Sequence, residues 1–307
     1  MSSISRGADA PVIMVTGAAG QVGFELVRAL APLGSVRAFD HRTLDLGDAQ
    51  RIRDCVRALK PALIVNAAAY TAVDAAEADI QACRAVNGVA PGVLATEAAR
   101  IGGALVHYST DYVFDGKKAT PYVEGDAPIP LNVYGLTKLE GERAVAEAGA
   151  PFLVLRTSWV FGLRGRNFLK TMLRLFHERE QLSVVDDQYG TPTWSRMLAG
   201  ATGLLVAAAR ASNSSIAESV RDIEGVYHLS SAGQTTWHGF ATAIRELDPR
   251  RGEQKCRAIH SVATAEYPTA ARRPARSVLD SSLLARRCGV SLPDWREQLA
   301  LCIADVE

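Results

Sequence analysis

The sequence predicts an α/β fold: a doubly wound parallel sheet, with a smaller second domain drawn from the C-terminal half. Three observations carry that reading. Short apolar runs alternate with amphipathic stretches as far as residue 162. The runs Ala62-Leu63-Ile64-Val65 and Phe152-Leu153-Val154-Leu155 are continuous rather than alternating, as in parallel strands buried on both faces. The first run, Val12-Ile13-Met14-Val15, passes into a helix through the turn Thr16-Gly17-Ala18-Ala19-Gly20-Gln21-Val22-Gly23. In such a unit Gly17 permits the tight turn, Gly20 lets a pyrophosphate approach the backbone, and Gly23 lets the helix pack down on the strand. The helix N-terminus then offers N–H groups to the phosphates. That is the dinucleotide-binding unit of the Rossmann fold, here with Gly-x-x-Gly-x-x-Gly spacing.

At 307 residues the chain can bury one large core or two modest ones. Hydrophobic residues make up 48% and charged residues 22%, which excludes a disordered chain. A net charge of +1 gives no reason to expect nucleic acid or an anionic membrane as partner. No apolar stretch reaches the ~18 residues of a membrane span, and residues 1–10 lack the apolar centre of a secretory signal. A cytoplasmic protein with a loose N-terminal tail is expected. Cys55, Cys83, Cys256, Cys288 and Cys302 are scattered and odd in number, as reduced thiols are. The histidines show no metal-ligand spacing, and no metal ligand is assigned. His41, His177, His238 and His260 read as surface or packing residues.

Taken in order, Ser35-Val36-Arg37-Ala38-Phe39 is the second strand, ending at Asp40. An acid there usually receives a ribose 2′-hydroxyl. Arg37 and Arg42 would instead favour a 2′-phosphate, so NADH and NADPH both stay open, as does a plain turn role for Asp40. Asp48 caps a helix toward Leu59. Asp45 is read either near a base amino group or as a turn carboxylate. Asn66-Ala67-Ala68-Ala69-Tyr70 follows the third strand, and its small side chains suit a flat ligand or tight packing. One long helix is predicted over 79–100, disturbed by Pro91-Gly92. Ala104-Leu105-Val106-His107-Tyr108 is the next strand. The loop 115–130 is long and rich in Gly, Pro and charge, as a binding loop or lid would be. Asn132 is the N-cap of a helix running to about Glu147.

Beyond Gly162 the alternation lapses. The pattern gives a helix over 167–178, a short strand over 182–185, turns over 188–193 and a helix over 195–209. A surface loop over 211–215 follows, and 211–224 as a whole reads as an extended loop with no assigned role. A strand over 225–229 returns to the main sheet, and a helix covers 237–247. The nucleotide-binding domain is therefore placed at 1–162, with 194–235 returning to it. The second, substrate domain is placed at 163–193 and 236–307.

Tyr134 and Lys138 are four apart on a predicted helix and share a face. A free phenol titrates near ~10, too high for acid–base work at neutral pH. An ammonium one turn away is expected to pull it down. Thr110, at the C-terminal end of a neighbouring strand, supplies a hydroxyl that can orient a carbonyl oxygen. That end of the sheet is also where the glycine turn puts a dinucleotide.

With these residues the chain resembles the extended short-chain dehydrogenases/reductases. Residues 16–23 match that group's cofactor motif, and Thr110, Tyr134 and Lys138 match its catalytic triad. Within the group it is similar to the dTDP-4-dehydrorhamnose reductases. The similarity runs through 66–74, 109–116, 130–138, 156–160, 187–193, 273–277 and 292–295, and so covers nearly the whole chain from Val12. It implies reduction, by NADPH or NADH, of the C4 ketone of dTDP-4-dehydro-6-deoxy-L-mannose to give dTDP-L-rhamnose. Tyr134 would supply the proton, Lys138 would hold the nicotinamide ribose, and Thr110 would bond the ketone oxygen. Cofactor contacts carry over to Gly20, Gln21, Val22, Asp40, Asp45, Leu46, Ala69, Tyr70, Thr71 and Tyr108. Substrate contacts carry over to Thr110, Asp111 and Trp159, whose indole suits a sugar face but also a core. Arg272, Arg273 and Arg276 read either as partners of the nucleotide pyrophosphate or as a solvated basic turn. Some members form homodimers around magnesium held by acidic side chains, for which no carboxylates are assigned here. A nucleotide-sugar epimerase or different 4-ketoreductase would share these features. So would a non-catalytic nucleotide-binding subunit on the same fold, like the partner of a methionine adenosyltransferase.

Overall fold

The apolar runs assemble into a six-stranded parallel sheet. Its strands are β1 (Val12–Thr16), β2 (Ser35–Phe39), β3 (Leu63–Asn66), β4 (Ala104–Thr110), β5 (Phe152–Thr157) and β6 (Gly225–His228), in the spatial order β6-β5-β4-β3-β1-β2. The computed structural model describes residues 10–212 and 215–306. The predicted N-terminal tail lies, apart from Ala10, outside them. Side chains alternate between two cores. Ile13 and Val15 of β1 face Leu26, Leu30 and the helix Ser195–Ser212, while Met14 faces Ile52, Val56, Leu94 and Leu105 on the other side. Burying each such side chain contributes about 1.5–3 kcal/mol. Gly23 lets the helix Gln21–Leu30 start against the turn, since a Cβ there would meet Gly17 O at 2.1 Å.

A second core lies beyond the sheet. Phe161, Phe176, Trp194, Phe240, Trp295 and Leu299 pack together between the helices Phe168–Glu178, Trp237–Leu247 and Trp295–Ala304. Leu284 and Val290, at and just after the helix Ser282–Cys288, are buried in the sheet's own core.

One expected element is refined and one differs. The long helix over 79–100 is present as a contiguous run, Ile80–Arg84, a π turn at Ala85–Val89 and Ala90–Ile101. Pro91 has no N–H to continue the ladder, and Ala90 N–H reaches back to Ala85 O. The loop over 211–224 is largely helical. The preceding helix runs on to Ser212, and Ser215 caps Ile216–Asp222 by accepting from Glu218 N at 3.2 Å. Ser215-x-x-Glu218 is a capping signal that the sequence carried. Asn213 and Ser214 lie outside the described residues. All five cysteines are free thiols, and among the described residues no helix is long and apolar enough to cross a membrane.

Candidate active site

The C-terminal ends of β1, β3 and β4 open into a cleft of about 890 Å³. Its floor is the glycine turn. Gly17 has φ +71°, and a Cβ there would meet Ala68 N at 2.7 Å, so the turn and the 67–71 segment touch backbone to backbone. Of the residues expected to hold a dinucleotide, Gly17, Gly20, Gln21, Val22, Asp40, Asp45, Leu46, Ala69, Tyr70, Thr71, Tyr108, Tyr134 and Lys138 all line this cleft. Gly23 does not; its role is the packing described above. A pyrophosphate fits this cradle, because side-chain-free backbone surrounds the first N–H groups of a ten-residue helix.

The acids at the rim are held by their own turns. Asp40 Oδ1 accepts from Arg42 N at 3.0 Å, Thr43 N at 3.0 Å and Thr43 Oγ1 at 2.9 Å. The Thr43 bonds above all keep its carboxyl below the usual range. Asp45 Oδ1 accepts from Gly47 N at 2.8 Å. Asn87, which sequence reasoning left unassigned, clamps the cleft wall. From the π turn its Oδ1 accepts from Tyr70 N at 2.9 Å, and its Nδ2 donates to Tyr70 O at 3.1 Å. Tyr108 lines the cleft while its hydroxyl lies 2.5 Å from Thr202 Oγ1, toward the helix Ser195–Ser212.

Tyr134 enters from the first turn of the helix Val133–Glu147. Asn132 Oδ1 caps that turn by accepting from Gly135 N at 2.8 Å. A Cβ on Gly135 would meet Tyr112 O at 2.1 Å, so the helix starts directly on the turn that follows β4. This close approach sets the Tyr134 phenol near the Thr110 hydroxyl, which itself donates to Asp111 Oδ1 at 3.1 Å. Burial pushes the phenol up to about 12, and the Thr110 hydroxyl opposes that in part. The expected lowering by Lys138 is therefore absent. Lys138 Nζ instead donates to Tyr108 O and lies 3.3 Å from His107 Nε2. Burial pulls the ammonium down to about 8. Sharing a helix face brings Tyr134 and Lys138 to one cleft, but the amine is claimed by the strand beneath.

Asp111 is buried beside them. Burial raises its carboxyl to about 7, against the nearby Ser277 and Thr110 hydroxyls, the second of which donates to Oδ1 at 3.1 Å. Its Oδ2 has no partner among the described residues, an unmet acceptor next to the Thr110–Tyr134 pair. Trp159 is one of two non-glycine residues with positive φ among those described, at +44°. Its indole stacks on Trp237 at 3.6 Å and 5°, and a Cβ on Gly190 would meet its ring at 2.3 Å. Arg273 is engaged within the chain by Asp74, with Nη2 to Oδ2 at 2.7 Å and Nη1 to Oδ1 at 3.0 Å. Neither Trp159 nor Arg273 lines the main cleft. Arg276 lies over the Tyr189 ring, 4.5 Å from its centre. Among the described residues no three His, Cys, Asp or Glu side chains are grouped to hold a metal ion.

A parallel nucleotide cleft with a Thr–Tyr–Lys set at its inner end defines an extended short-chain dehydrogenase/reductase. Residues 11–307 match the model of the RmlD substrate binding domain family. A dTDP-4-dehydrorhamnose reductase of Burkholderia thailandensis is 50% identical over 297 residues, 96% of this chain and 98% of that protein. One from Escherichia coli K12 is 43% identical, over 92% of this chain and 94% of that protein. A Bacillus anthracis dTDP-4-dehydrorhamnose reductase solved in complex with NADP superposes with a TM-score of 0.87 at 33% identity, covering 97% of this chain and all of that one. The chain belongs to the dTDP-4-dehydrorhamnose reductase family.

Proposed function

We propose that the protein reduces the C4 ketone of dTDP-4-dehydro-6-deoxy-L-mannose, giving dTDP-L-rhamnose at the expense of NADPH or NADH. The observation that carries the proposal is the meeting of Tyr134 and Lys138 in the wall of the nucleotide cleft, with the Thr110 hydroxyl near the phenol. A reduced nicotinamide bound there supplies the hydride to the sugar C4 carbon. A phenol held near 12 keeps its proton until an alkoxide, a stronger base, develops beside it. Tyr134 then gives that proton to the C4 oxygen, and Thr110 donates to the same oxygen to fix its position. Asp111 Oδ2, buried and unpartnered, receives a sugar hydroxyl. Lys138 reaches the nicotinamide ribose hydroxyls from the cleft wall.

The purified protein is incubated with the 4-keto sugar and either nicotinamide, and the product identified. Stoichiometric loss of nicotinamide absorbance with formation of the L-rhamnose nucleotide is expected. An epimerase would show no net loss. Tyr134→Phe should lower kcat by roughly 10²–10⁴-fold with NADPH still bound. Reduction at the normal rate by that variant would dismiss Tyr134 as the proton donor.

A further inference from the structure

Beneath Lys138 lies a buried chain of side chains that the reduction above does not use. Thr16, Asn66 and His107 stand at paired register positions on β1, β3 and β4, Thr16 opposite Asn66 and Asn66 opposite His107. All three are buried. The Thr16 hydroxyl donates to Asn66 Oδ1 at 2.7 Å, and Ala68 N–H donates to the same oxygen at 3.2 Å. The second bond fixes the amide, because a backbone N–H can only donate and the atom facing it must be oxygen. Asn66 Nδ2 therefore faces His107 Nδ1, at 3.0 Å. An amide nitrogen also only donates, so His107 Nδ1 holds a lone pair and the neutral ring carries its proton on Nε2. That N–H points at Lys138 Nζ, 3.3 Å away, which donates in turn to Tyr108 O. An ammonium at Nζ would set one N–H against another. A neutral amine accepts from His107 and donates to Tyr108, and every bond in the chain is then made.

We propose that Asn66 and His107 are positioning residues that hold Lys138 as a neutral amine until the cofactor binds, and that cofactor binding recharges it. The ribose hydroxyls named above bring acceptors to Nζ, and the amine takes one proton from solvent as they arrive. The other groups facing Lys138 are few. Tyr134 and Glu142 come from its own helix, and Cys83 comes from Ile80–Arg84. Glu142 is already bound by Arg156, Nη2 to Oε2 at 2.7 Å, and by Ser109. Burial acts in the same direction as the His107 N–H, toward the uncharged amine. This assignment rests on the proposed function only for the part Lys138 plays in turnover; the hydrogen-bond polarity does not.

The test combines two readouts on the intact protein. Nitrogen chemical shifts of ring-labelled His107 report its tautomer directly. The wild-type ring should be neutral with the proton on Nε2, and a proton on Nδ1 or a charged ring overturns the proposal whatever the protein's activity. Asn66→Asp is nearly isosteric and reverses the chain. A carboxylate accepts from Nδ1–H, so Nε2 turns its lone pair to Lys138 and favours the ammonium. The pH above which NADPH affinity declines should then rise by about one unit or more. A flipped tautomer with an unmoved profile overturns the proposal. Because affinity is read without turnover, failure to reduce the keto sugar would count against the proposed function and leave this result standing.

Discussion

The nucleotide end of the cleft and the end proposed for the sugar are built by different means. The first is backbone: a glycine turn touching the 67–71 segment, with Asp40 and Asp45 folded into their own loops. The second is side chains that hold one another: Trp159 on Trp237, Arg273 on Asp74, Asp111 on Thr110. Backbone contact depends on having no side chain, and glycine announces that in the sequence. Side-chain contact depends on partners far along the chain, as Arg273 and Asp74 are, 199 residues apart.

The contrast can be broken hardest at the backbone. Gly17→Val puts a branched side chain at φ +71° and against Ala68 N. It should weaken NADPH binding by about a hundredfold or more, read by fluorescence titration, since left-handed strain and a clash add together. Asp111 comes next, through stability. Its folded carboxyl near 7 stands above the ordinary 3.8, so the folded chain keeps a proton that the unfolded chain releases between those values. Stability is full below the ordinary value and falls as pH rises toward 7, by at most about 1.4 kcal/mol per pH unit. In Asp111→Asn that slope should vanish from urea-unfolding free energies across the window, while KM for the sugar rises. The smallest effect is expected at Gly190→Ala, whose methyl displaces the Trp159 ring. KM for the sugar should rise by about tenfold, in keeping with one misplaced contact of ~1.4 kcal/mol, with NADPH affinity unchanged. A loss of NADPH affinity there would erase the distinction between the two ends.

The same contrast explains what the sequence made legible. The strands, the cradle and the Asn132 cap are local patterns of apolar runs, glycines and a short polar side chain. The second core was legible only as a change of rhythm after Gly162, because burial is decided in three dimensions. Four-residue spacing correctly put Tyr134 and Lys138 on one cleft. It could not say that Lys138 would turn to Tyr108 O, because that carbonyl belongs to a strand 30 residues earlier. The long helix and its disturbance at Pro91 were legible, but the π turn that presents Asn87 to Tyr70 is a tertiary fit. His107 left one trace, a polar residue directly after the apolar run Ala104-Leu105-Val106 of a buried strand.

The parallel indoles of Trp159 and Trp237 have an optical consequence. Two chromophores 3.6 Å apart and 5° from parallel couple their excited states. That coupled pair, beside the proposed sugar end, adds its own signature to the near-ultraviolet dichroism, apart from those of Trp194 and Trp295. Any ligand that slides between them, or turns Trp159 off its left-handed backbone, rewrites that spectrum without a label being added.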